Sequence, residues 1–159
     1  MAMPPPHLVV DLDAAAVEQA LTDWRWLIGP DARPLYATVG GDVLLVDPDG
    51  RVLLLDTGGG TVTAITDSVA AFEGAISDPA NLDDWFSASL AGRLRQQGVV
   101  LGPGQCYGYT ILPVFQEGSY GPENRRALDA LEHLSVTADM HEQVRGLPNG
   151  AKVQMKVVD

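Results

Sequence analysis

A reversal between two apolar runs constrains the fold of this chain more than any other feature. The runs are VLLV, residues 43–46, and VLLL, residues 52–55, and the letters DPDGR connect them. Pro48 presets the backbone φ that the first half of a tight turn needs, and Gly50 can adopt a positive φ at little cost. Two β-prone runs joined in this way predict an antiparallel hairpin.

Further β-prone runs flank this hairpin on both sides. LYATV at residues 35–39 precedes it and TVTAIT at residues 61–66 follows it, with GG and GGG at the breaks. Short strands separated by turn residues predict an antiparallel β-meander. Because helical patterns flank this region, the sequence predicts the α+β class: an antiparallel β-meander sheet packed with several helices in a single compact domain.

Helical spacing of apolar residues begins after the PPP tract near the N-terminus. We expect residues 1–10 to form a flexible tail. Asp11 or Asp13 then caps a helix that ends at Gly29-Pro30, since a glycine followed by a proline is a strong stop signal.

Three further helices are predicted after the meander. Asp67-Ser68 caps a short one, and Asn81 caps a longer one that ends at Gly98. Residues 130–145 form the last helix, because the run is long for a strand. A final strand is expected at Lys152–Val158.

The composition describes one packed domain. The chain has 159 residues, of which 46% are hydrophobic and 19% charged, a balance that does not suggest disorder. The N-terminus lacks the apolar stretch of a signal peptide, and no apolar run is long enough to span a membrane. A single cysteine excludes an internal disulfide and agrees with a reducing compartment. We therefore expect a cytoplasmic protein.

The acidic residues are concentrated in one part of the chain. The net charge is −11, and residues 1–100, with fourteen acids and five bases, contribute −9 of it. Between Ala37 and Gly92, nine acids stand against one base. Such a surface repels nucleic acid and anionic membranes and attracts cationic partners. Direct binding to nucleic acid or a membrane is therefore not expected, although acidity also serves solubility alone.

Two stretches resemble ligand loops and have structural explanations. Asp47, Asp49, Gly50 and Asp56 match four positions of a calcium loop, but the flanking runs are strands rather than helices. The stretch TGGGT, residues 57–61, lacks the lysine and the following helix that a phosphate loop uses. Both stretches are interpreted as hairpin turns, and no metal or cofactor is predicted.

Cys106 is the candidate nucleophile of this chain. His133 or His141 would then act as its base. Its neighbours Gln105 and Tyr107, however, do not provide the electropositive setting that stabilises a thiolate. A buried cysteine is the preferred interpretation, and a thiol-dependent hydrolase is kept as an alternative.

The segment GPGQCYGYTILPVFQEGSYGPEN, residues 102–124, is predicted to be a rigid framework. Its glycines and prolines fix an irregular path, with one strand expected at Tyr107–Leu112. The framework residues are Gly104, Cys106, Tyr107, Gly108 and Tyr109. The side chains expected to pack against the sheet and the helix of Trp85 are those of Tyr107, Tyr109, Ile111, Val114 and Phe115.

Three blocks of the sequence resemble a known bacterial family. They are GDVLLVDPDGRVLLLDTGGGTVTAITDSVAAFE, LGPGQCYGY and LEHLSVTADMHEQVRGLPNGAKV, within residues 20–155. The chain is similar to the Tdi-type immunity proteins of type VI secretion, which combine a GAD-like N-terminal part with a small C-terminal part. One stretch departs from the family pattern: LPVFQEG, residues 112–118, stands where the family has two prolines, a hydrophobic residue and two glycines.

The resemblance implies both an organisation and a function. It implies a domain made of a GAD-like part, residues 11–80, and a C-terminal part, residues 81–159. It also implies that the protein binds and silences a co-encoded toxin, a nuclease effector, and performs no catalysis. A general protein-interaction adaptor is the other alternative.

An acidic face is the expected contact with such a toxin, because a nuclease presents cations to phosphate groups. The candidate toxin-binding residues are Asp42, Asp47, Asp49, Asp56, Asp78, Asp83, Asp84, Glu117 and Tyr120. Trp85 is a second candidate aromatic anchor, although a tryptophan on an apolar helix face more often belongs to the core. Asp83 and Asp84 also suit the N-terminus of a helix.

Overall fold

Four antiparallel strands form the central sheet of the protein. The computed structural model describes residues 3–154. The strands are β1 (Arg33–Ala37), β2 (Val43–Val46), β3 (Val52–Asp56) and β4 (Thr61–Thr66). They lie side by side in chain order, so the predicted meander is confirmed. The turn between β2 and β3 places Gly50 at φ +84°, as the sequence predicts.

The two central strands are buried on both faces. Successive side chains of a strand point to opposite sides of the sheet, and a hydrophobic core lies on each side. The residues that face one core are Val43, Leu45, Leu53 and Leu55. Those that face the other are Leu44, Val52 and Leu54. Burial on both faces explains why the runs VLLV and VLLL show no polar alternation.

Helices cover both faces of this sheet. They are α1 (Ala14–Leu21), α2 (Arg25–Ile28), α3 (Val69–Ala75), α4 (Pro79–Phe86), α5 (Ala88–Gln96) and α6 (Ala130–Val144). Side chains of α1, α2 and α6 fill the core that contains Val43. Those of α3, α4 and α5 fill the core that contains Leu44. The predicted class, a compact α+β domain, is confirmed, and none of the helices within residues 3–154 has the length and apolar character to cross a bilayer.

The first predicted helix is present with an interruption. Between α1 and α2 the chain tightens into a 3-10 turn, Thr22–Trp24. Trp24 is fully buried there, and its indole N–H donates to the carbonyl oxygen of Leu134 in α6 at 2.9 Å. Gly29 ends α2 at φ +82°, where the sequence predicts the end.

The helix predicted between Asn81 and Gly98 is two helices in the structure. Asp78 rather than Asn81 caps α4, because its carboxylate accepts a hydrogen bond from Ala80 N. Ser87 has a left-handed backbone with φ +56°, and α5 starts at the next residue. The prediction of one helix is wrong because both pieces direct their apolar faces at the same core, so the apolar spacing continues across the break.

A second, two-stranded sheet lies in the region predicted to be mostly loop. β5 (Gln105–Tyr109) pairs antiparallel with β6 (Arg125–Asp129). The strand expected at Tyr107–Leu112 therefore starts earlier, and β6 is absent from the prediction. The letters RRALD carry little β-propensity, so the distant partner strand decides their conformation.

The framework segment packs less completely than the sequence predicts. Tyr107 and Tyr109 are buried as expected, and Phe115 is partly buried. The prediction is wrong for Ile111 and Val114, whose exposed fractions are 40% and 48%. These two residues follow the end of β5, in the irregular loop that leads to Arg125, whereas Leu112 between them is buried.

The residues just before Asp11 belong to the fold. Leu8 and Val10 are buried, and Val10 N donates to Ala37 O of β1 at 2.9 Å. The tail predicted for residues 1–10 is therefore wrong over residues 6–10, because the apolar side chains that follow the PPP tract extend the core at the edge of the sheet.

The C-terminal end differs from the predicted strand at Lys152–Val158. Residues 152–154 have no regular secondary structure. The remainder of that predicted strand lies outside the described residues. The division into a GAD-like part and a C-terminal part at residue 81 stays a prediction.

Replacing Ser87 by glycine is expected to stabilise the protein. A left-handed backbone costs a residue with a Cβ about 1–2 kcal/mol, and glycine avoids this cost while losing somewhat more entropy on folding. We expect the free energy of unfolding of Ser87→Gly, measured by urea denaturation, to rise by about 0.5–1 kcal/mol. Arg93→Gly, at an exposed position inside α5, is the control and should lower it by about 1 kcal/mol. A destabilised Ser87→Gly would contradict backbone strain at this break.

Candidate functional site

The candidate acidic residues do not form one surface. They occupy the turn between β2 and β3, the opposite end of those strands, helix α4 and the loop between β5 and β6. Asp47 and Asp49 lie in the turn, and Asp42 and Asp56 lie at the opposite end of the strands. Asp78, Asp83 and Asp84 belong to α4 and its cap, and Glu117 and Tyr120 belong to the loop. Among candidates distant in sequence, the structure brings together Asp42, Asp56 and Tyr120.

The turn between β2 and β3 uses its acids to hold its own shape. Asp47 Oδ1 accepts from Asp49 N at 3.0 Å and from Arg51 N at 2.9 Å, and Arg51 Nε donates to Asp47 Oδ2 at 2.7 Å. Desolvation acts to raise the pKa of Asp47, but the hydrogen bonds and charge of Arg51 outweigh it and lower the pKa. The spacing that matches a calcium loop therefore serves a closed turn. Asp49 stays exposed at its tip.

The acids of α4 serve helix ends and solvent. Asp83 Oδ1 accepts from Ser89 N at 2.9 Å and so caps the start of α5. Asp84 is exposed. Trp85 is not an exposed anchor, because its ring stacks on Phe72 of α3 with centroids 5.6 Å apart. This helix therefore offers charge, and its aromatic residue belongs to the core.

Thr57 is the centre of a buried polar cluster where the sheet meets α6. Its hydroxyl oxygen lies 2.9 Å from Gly41 O, 3.1 Å from Asp42 Oδ1 and 3.0 Å from His133 Nε2. Thr57 N donates to Asp42 Oδ1 at 2.9 Å. The carbonyl oxygen of Thr57 accepts from His141 Nε2 at 2.8 Å. We call Asp42, Thr57, His133 and His141 the Thr57 cluster.

The two imidazoles of the cluster are neutral near pH 7. Burial, assisted by the positive charge of Arg125, lowers the pKa of His133 to about 4. Burial also lowers the pKa of His141, although its bond to Thr57 opposes the shift. The turn between β3 and β4 must admit the ring of His141, because a Cβ at Gly60 would lie 2.5 Å from His141 Nδ1. Gly60 thus lets this imidazole approach, and the predicted hairpin turn is confirmed.

The carboxyl group of Asp42 is enclosed, although part of the residue reaches solvent. Burial first, and then the negative charge of Asp56, raise the pKa of Asp42 to about 7, while Thr57 and Arg125 oppose this less strongly. Near neutral pH such a group is only partly ionised. Its carboxylate is therefore engaged within the Thr57 cluster.

Tyr120 covers the acid at the end of β3. Its hydroxyl donates to Asp56 Oδ2 at 2.8 Å, and Asp56 Oδ1 accepts from Gly58 N and Gly59 N at 2.9 and 3.2 Å. Burial and the hydrogen bond to Asp56 raise the pKa of Tyr120, so the hydroxyl is a neutral donor. Half of the tyrosine side chain stays exposed. Tyr120 can therefore contact a partner, whereas Asp56 is engaged internally.

Arg125 is the buried cation beside this cluster. Its guanidinium carbon lies 3.9 Å from the centre of the Tyr109 ring. Its Nη1 donates to Gly40 O and to Tyr107 O, both at 2.9 Å. These bonds fasten β6 to β5 and to the turn before β2. No sequence pattern marks this residue, because a buried arginine has the same local neighbours as one at the surface.

The thiol of Cys106 is not placed for chemistry. It is fully buried in the core, and burial together with the charge of Asp42 raises its pKa to about 12. His133 and His141, the proposed bases, are bonded to Thr57 instead. This arrangement gives no support to a thiol-dependent hydrolase. The burial of Cys106 fits the predicted framework role.

An apolar groove of about 1140 Å³ lies between α6 and the loop that joins β5 to β6. We call it the α6 groove. Its apolar lining includes Ile111, Val114, Leu128, Val136, Met140 and Val153. The sequence predicts two of these residues as core and so misses the groove. The departure from the family pattern at residues 112–118 is the sequence signal that points to this loop.

Comparisons with known proteins give a family match over part of the chain and a similar fold. Residues 66–141 match the model of a family described as T6SS immunity protein Tdi1, C-terminal. The crystal structure of Atu4351 from Agrobacterium tumefaciens is similar in fold, with a TM-score of 0.50 at 19% sequence identity. That similarity covers 76% of this chain and 63% of that chain, so it spans less than two thirds of the solved protein. None of the curated proteins matches this sequence.

Replacing Asp42 by asparagine tests the enclosed carboxyl group. Its pKa is raised from 3.8 to about 7 in the fold, so the native state binds its proton more tightly than the unfolded chain. The resulting contribution to the free energy of unfolding is complete below pH 3.8 and is lost as the pH rises through about 7. Relative to the wild type, Asp42→Asn should therefore gain stability between about pH 4 and about pH 8.

Urea denaturation of both proteins across this pH range measures the difference between their free energies of unfolding. The histidines are present in both proteins, so their titration does not contribute to this difference. Asp84→Asn, which changes an exposed acid, is the matched control. If the stability of Asp42→Asn relative to the wild type does not change with pH, the carboxyl group is not enclosed as described.

Proposed function

Residues 66–141 match the family model described as T6SS immunity protein Tdi1, C-terminal, and on this premise we propose that the protein binds and neutralises a co-encoded antibacterial toxin. The family match is the observation that carries the proposal. The surface charge and the groove support its finer parts.

The proposed toxin is a basic nuclease effector. A nuclease must present cations to the phosphates of its substrate, and a chain with a net charge of −11 is complementary to such a surface. Opposite charges raise the rate of encounter, up to roughly 10⁸–10⁹ M⁻¹s⁻¹ at low salt. Bound over the cationic cleft, an acidic protein would exclude the nucleic acid. The proposed place of action is the cytoplasm, where an incoming nuclease reaches DNA.

The candidate acids divide into two groups by what their carboxylates already do. The exposed ones proposed as direct contacts are Asp49, Asp84 and Glu117. The ones bonded within the protein are Asp42, Asp47, Asp56, Asp78 and Asp83. The second group still contributes to the field that attracts a cation, but its members have fewer free oxygen atoms for direct bonds.

In the function we propose, the protein acts by occluding the cationic cleft of the toxin and performs no catalysis. A general adaptor is the alternative, and it predicts no preference for the toxin encoded next to this protein. Selective binding to that toxin separates the two functions.

The product of the neighbouring toxin gene is expected to copurify with this protein and to be inactive in the complex. Because opposite charges drive the encounter, the association rate should fall as salt rises from about 0.05 to 0.2 M. The double variant Asp49→Lys, Asp84→Lys should associate about tenfold more slowly than the wild type in stopped-flow measurements. Asp139→Lys, Glu142→Lys changes two exposed acids of α6 and is the matched control. A toxin that remains unbound, or that stays active when bound, would overturn the proposal.

Replacing Cys106 by serine distinguishes a framework residue from a nucleophile. A buried hydroxyl without a partner costs about 1–3 kcal/mol, so the free energy of unfolding should fall by about this amount. Below its melting temperature the folded variant should still protect cells that express the toxin. Thermal denaturation and a toxicity assay measure the two effects, and a fully folded variant that fails to protect would favour a thiol-dependent reaction.

A further inference from the structure

The exposed apolar side chains of this protein are concentrated along the α6 groove. Eight large hydrophobic side chains are exposed within residues 3–154, and four of them line the groove. These four are Ile111, Val114, Val136 and Val153, with exposed fractions between 40% and 48%. A contiguous exposed apolar patch is uncommon on a soluble protein unless it binds a partner.

One wall of the groove is a loop that is held closed at its base. Asn124 Nδ2 donates to Ile111 O at 2.6 Å and to Ser119 O at 2.7 Å. Asn124 Oδ1 accepts from Ile111 N at 3.0 Å. Three hydrogen bonds from one buried side chain join the two ends of the loop and keep Val114 exposed on it. This wall is therefore formed before any partner binds, which reduces the entropy cost of association.

The other wall is a stripe along α6. Glu132, Val136 and Met140 follow one another at spacings of four residues and so lie on one face of the helix. His133, which also lines the groove, and His141 are bonded to Thr57 and so hold the helix on the sheet. Both walls of the groove are thus anchored, and methionine supplies a side chain that adapts to different apolar partners.

Charged side chains lie along the groove with its apolar residues. The acids among the lining residues are Glu117, Asp129 and Glu132, and the bases are Arg126 and Lys152. The acids outnumber the bases, and they lie on a chain whose total charge is −11. A partner segment that fits this groove must offer apolar side chains to its centre and positive charge to its acids.

We propose that the α6 groove receives a segment of the toxin whose apolar side chains are flanked by lysine or arginine. This inference rests on the proposed function and deepens it by naming the docking surface. Apolar contact in the groove supplies affinity, since the best-buried interface residues carry most of the binding energy. The acids orient the segment, and the acidic field of the rest of the chain brings the toxin close.

Arginine substitution inside the groove tests this assignment. Val136→Arg places a bulky cation where the apolar segment would lie, and it should weaken binding of the purified neighbouring-gene toxin at least ~30-fold. Val100→Arg is the matched control, because Val100 is 71% exposed and does not line the groove. Both changes are at exposed positions, so circular dichroism and thermal melting should show both variants folded. Calorimetric titration gives the two dissociation constants.

A second pair of variants tests the charge of the partner segment. Glu117→Lys, Glu132→Lys should weaken binding, whereas Asp139→Lys, Glu142→Lys, two acids outside the groove lining, should change it much less. A wild-type protein that does not bind the toxin overturns the proposed function and this docking surface together. A wild-type protein that binds while the groove variants bind equally well overturns the docking surface alone. The docking surface is also overturned if the groove joins two copies of this chain. Light scattering would then show a dimer that Val136→Arg converts to a monomer.

Discussion

The hydrogen-bonded contact between Thr57 and helix α6 is the interaction on which the rest of the structure depends. It joins the turn after β3 to His133 and His141, which are distant in sequence. Because these groups are buried, each unpaired one would cost about 1–3 kcal/mol, so the cluster requires one position of the helix on the sheet. Fixing α6 also fixes a wall of the α6 groove. The function we propose therefore depends on a buried polar contact between the sheet and this helix.

Arg125 extends this constraint to the second sheet. Its bonds to Gly40 and Tyr107, and its position against Tyr109, connect β6 with β5 and with the central sheet. Tyr109 in turn packs beside His133 with ring centroids 5.9 Å apart. Sheet, helix and framework segment thus share one buried polar region. Burial explains why its histidines have lowered pKa values and why Asp42 has a raised one.

Sequence patterns predicted those parts of the fold that local chemistry decides. The hairpin around Pro48 and Gly50, the cap at Ser68 and the end of α2 at Gly29 each depend on a few neighbouring residues, and all three are present. The break at Ser87 was not predictable, because apolar spacing continues through it.

Features that distant contacts decide could not be predicted from the sequence. The strand β6 depends on pairing with β5, and the enclosure of the Asp42 carboxyl group depends on its contact with Thr57 after β3. For the candidate site, residue types identified the acidic character of the chain. They did not reveal that several acids bond within the protein, nor that Ile111 and Val114 lie at the surface.

Charge and shape have separate tasks in the function we propose. Acidic residues are spread over several faces, so they attract a cationic toxin without choosing one orientation. The α6 groove is a single preformed surface and can select both the segment and its orientation. Specificity for one toxin would then reside in the loop of residues 112–118 and the facing stripe of α6. The loop is also where this chain departs from the family pattern.

Hydrogen exchange of the backbone amides, measured with and without the neighbouring-gene toxin, tests the docking of that toxin most directly. We expect slower exchange in residues 111–117 and in residues 132–140 when the toxin is bound, in addition to any protection around Asp49 in the turn between β2 and β3. Protection confined to that turn or to α4, with none along the α6 groove, would contradict the docking surface.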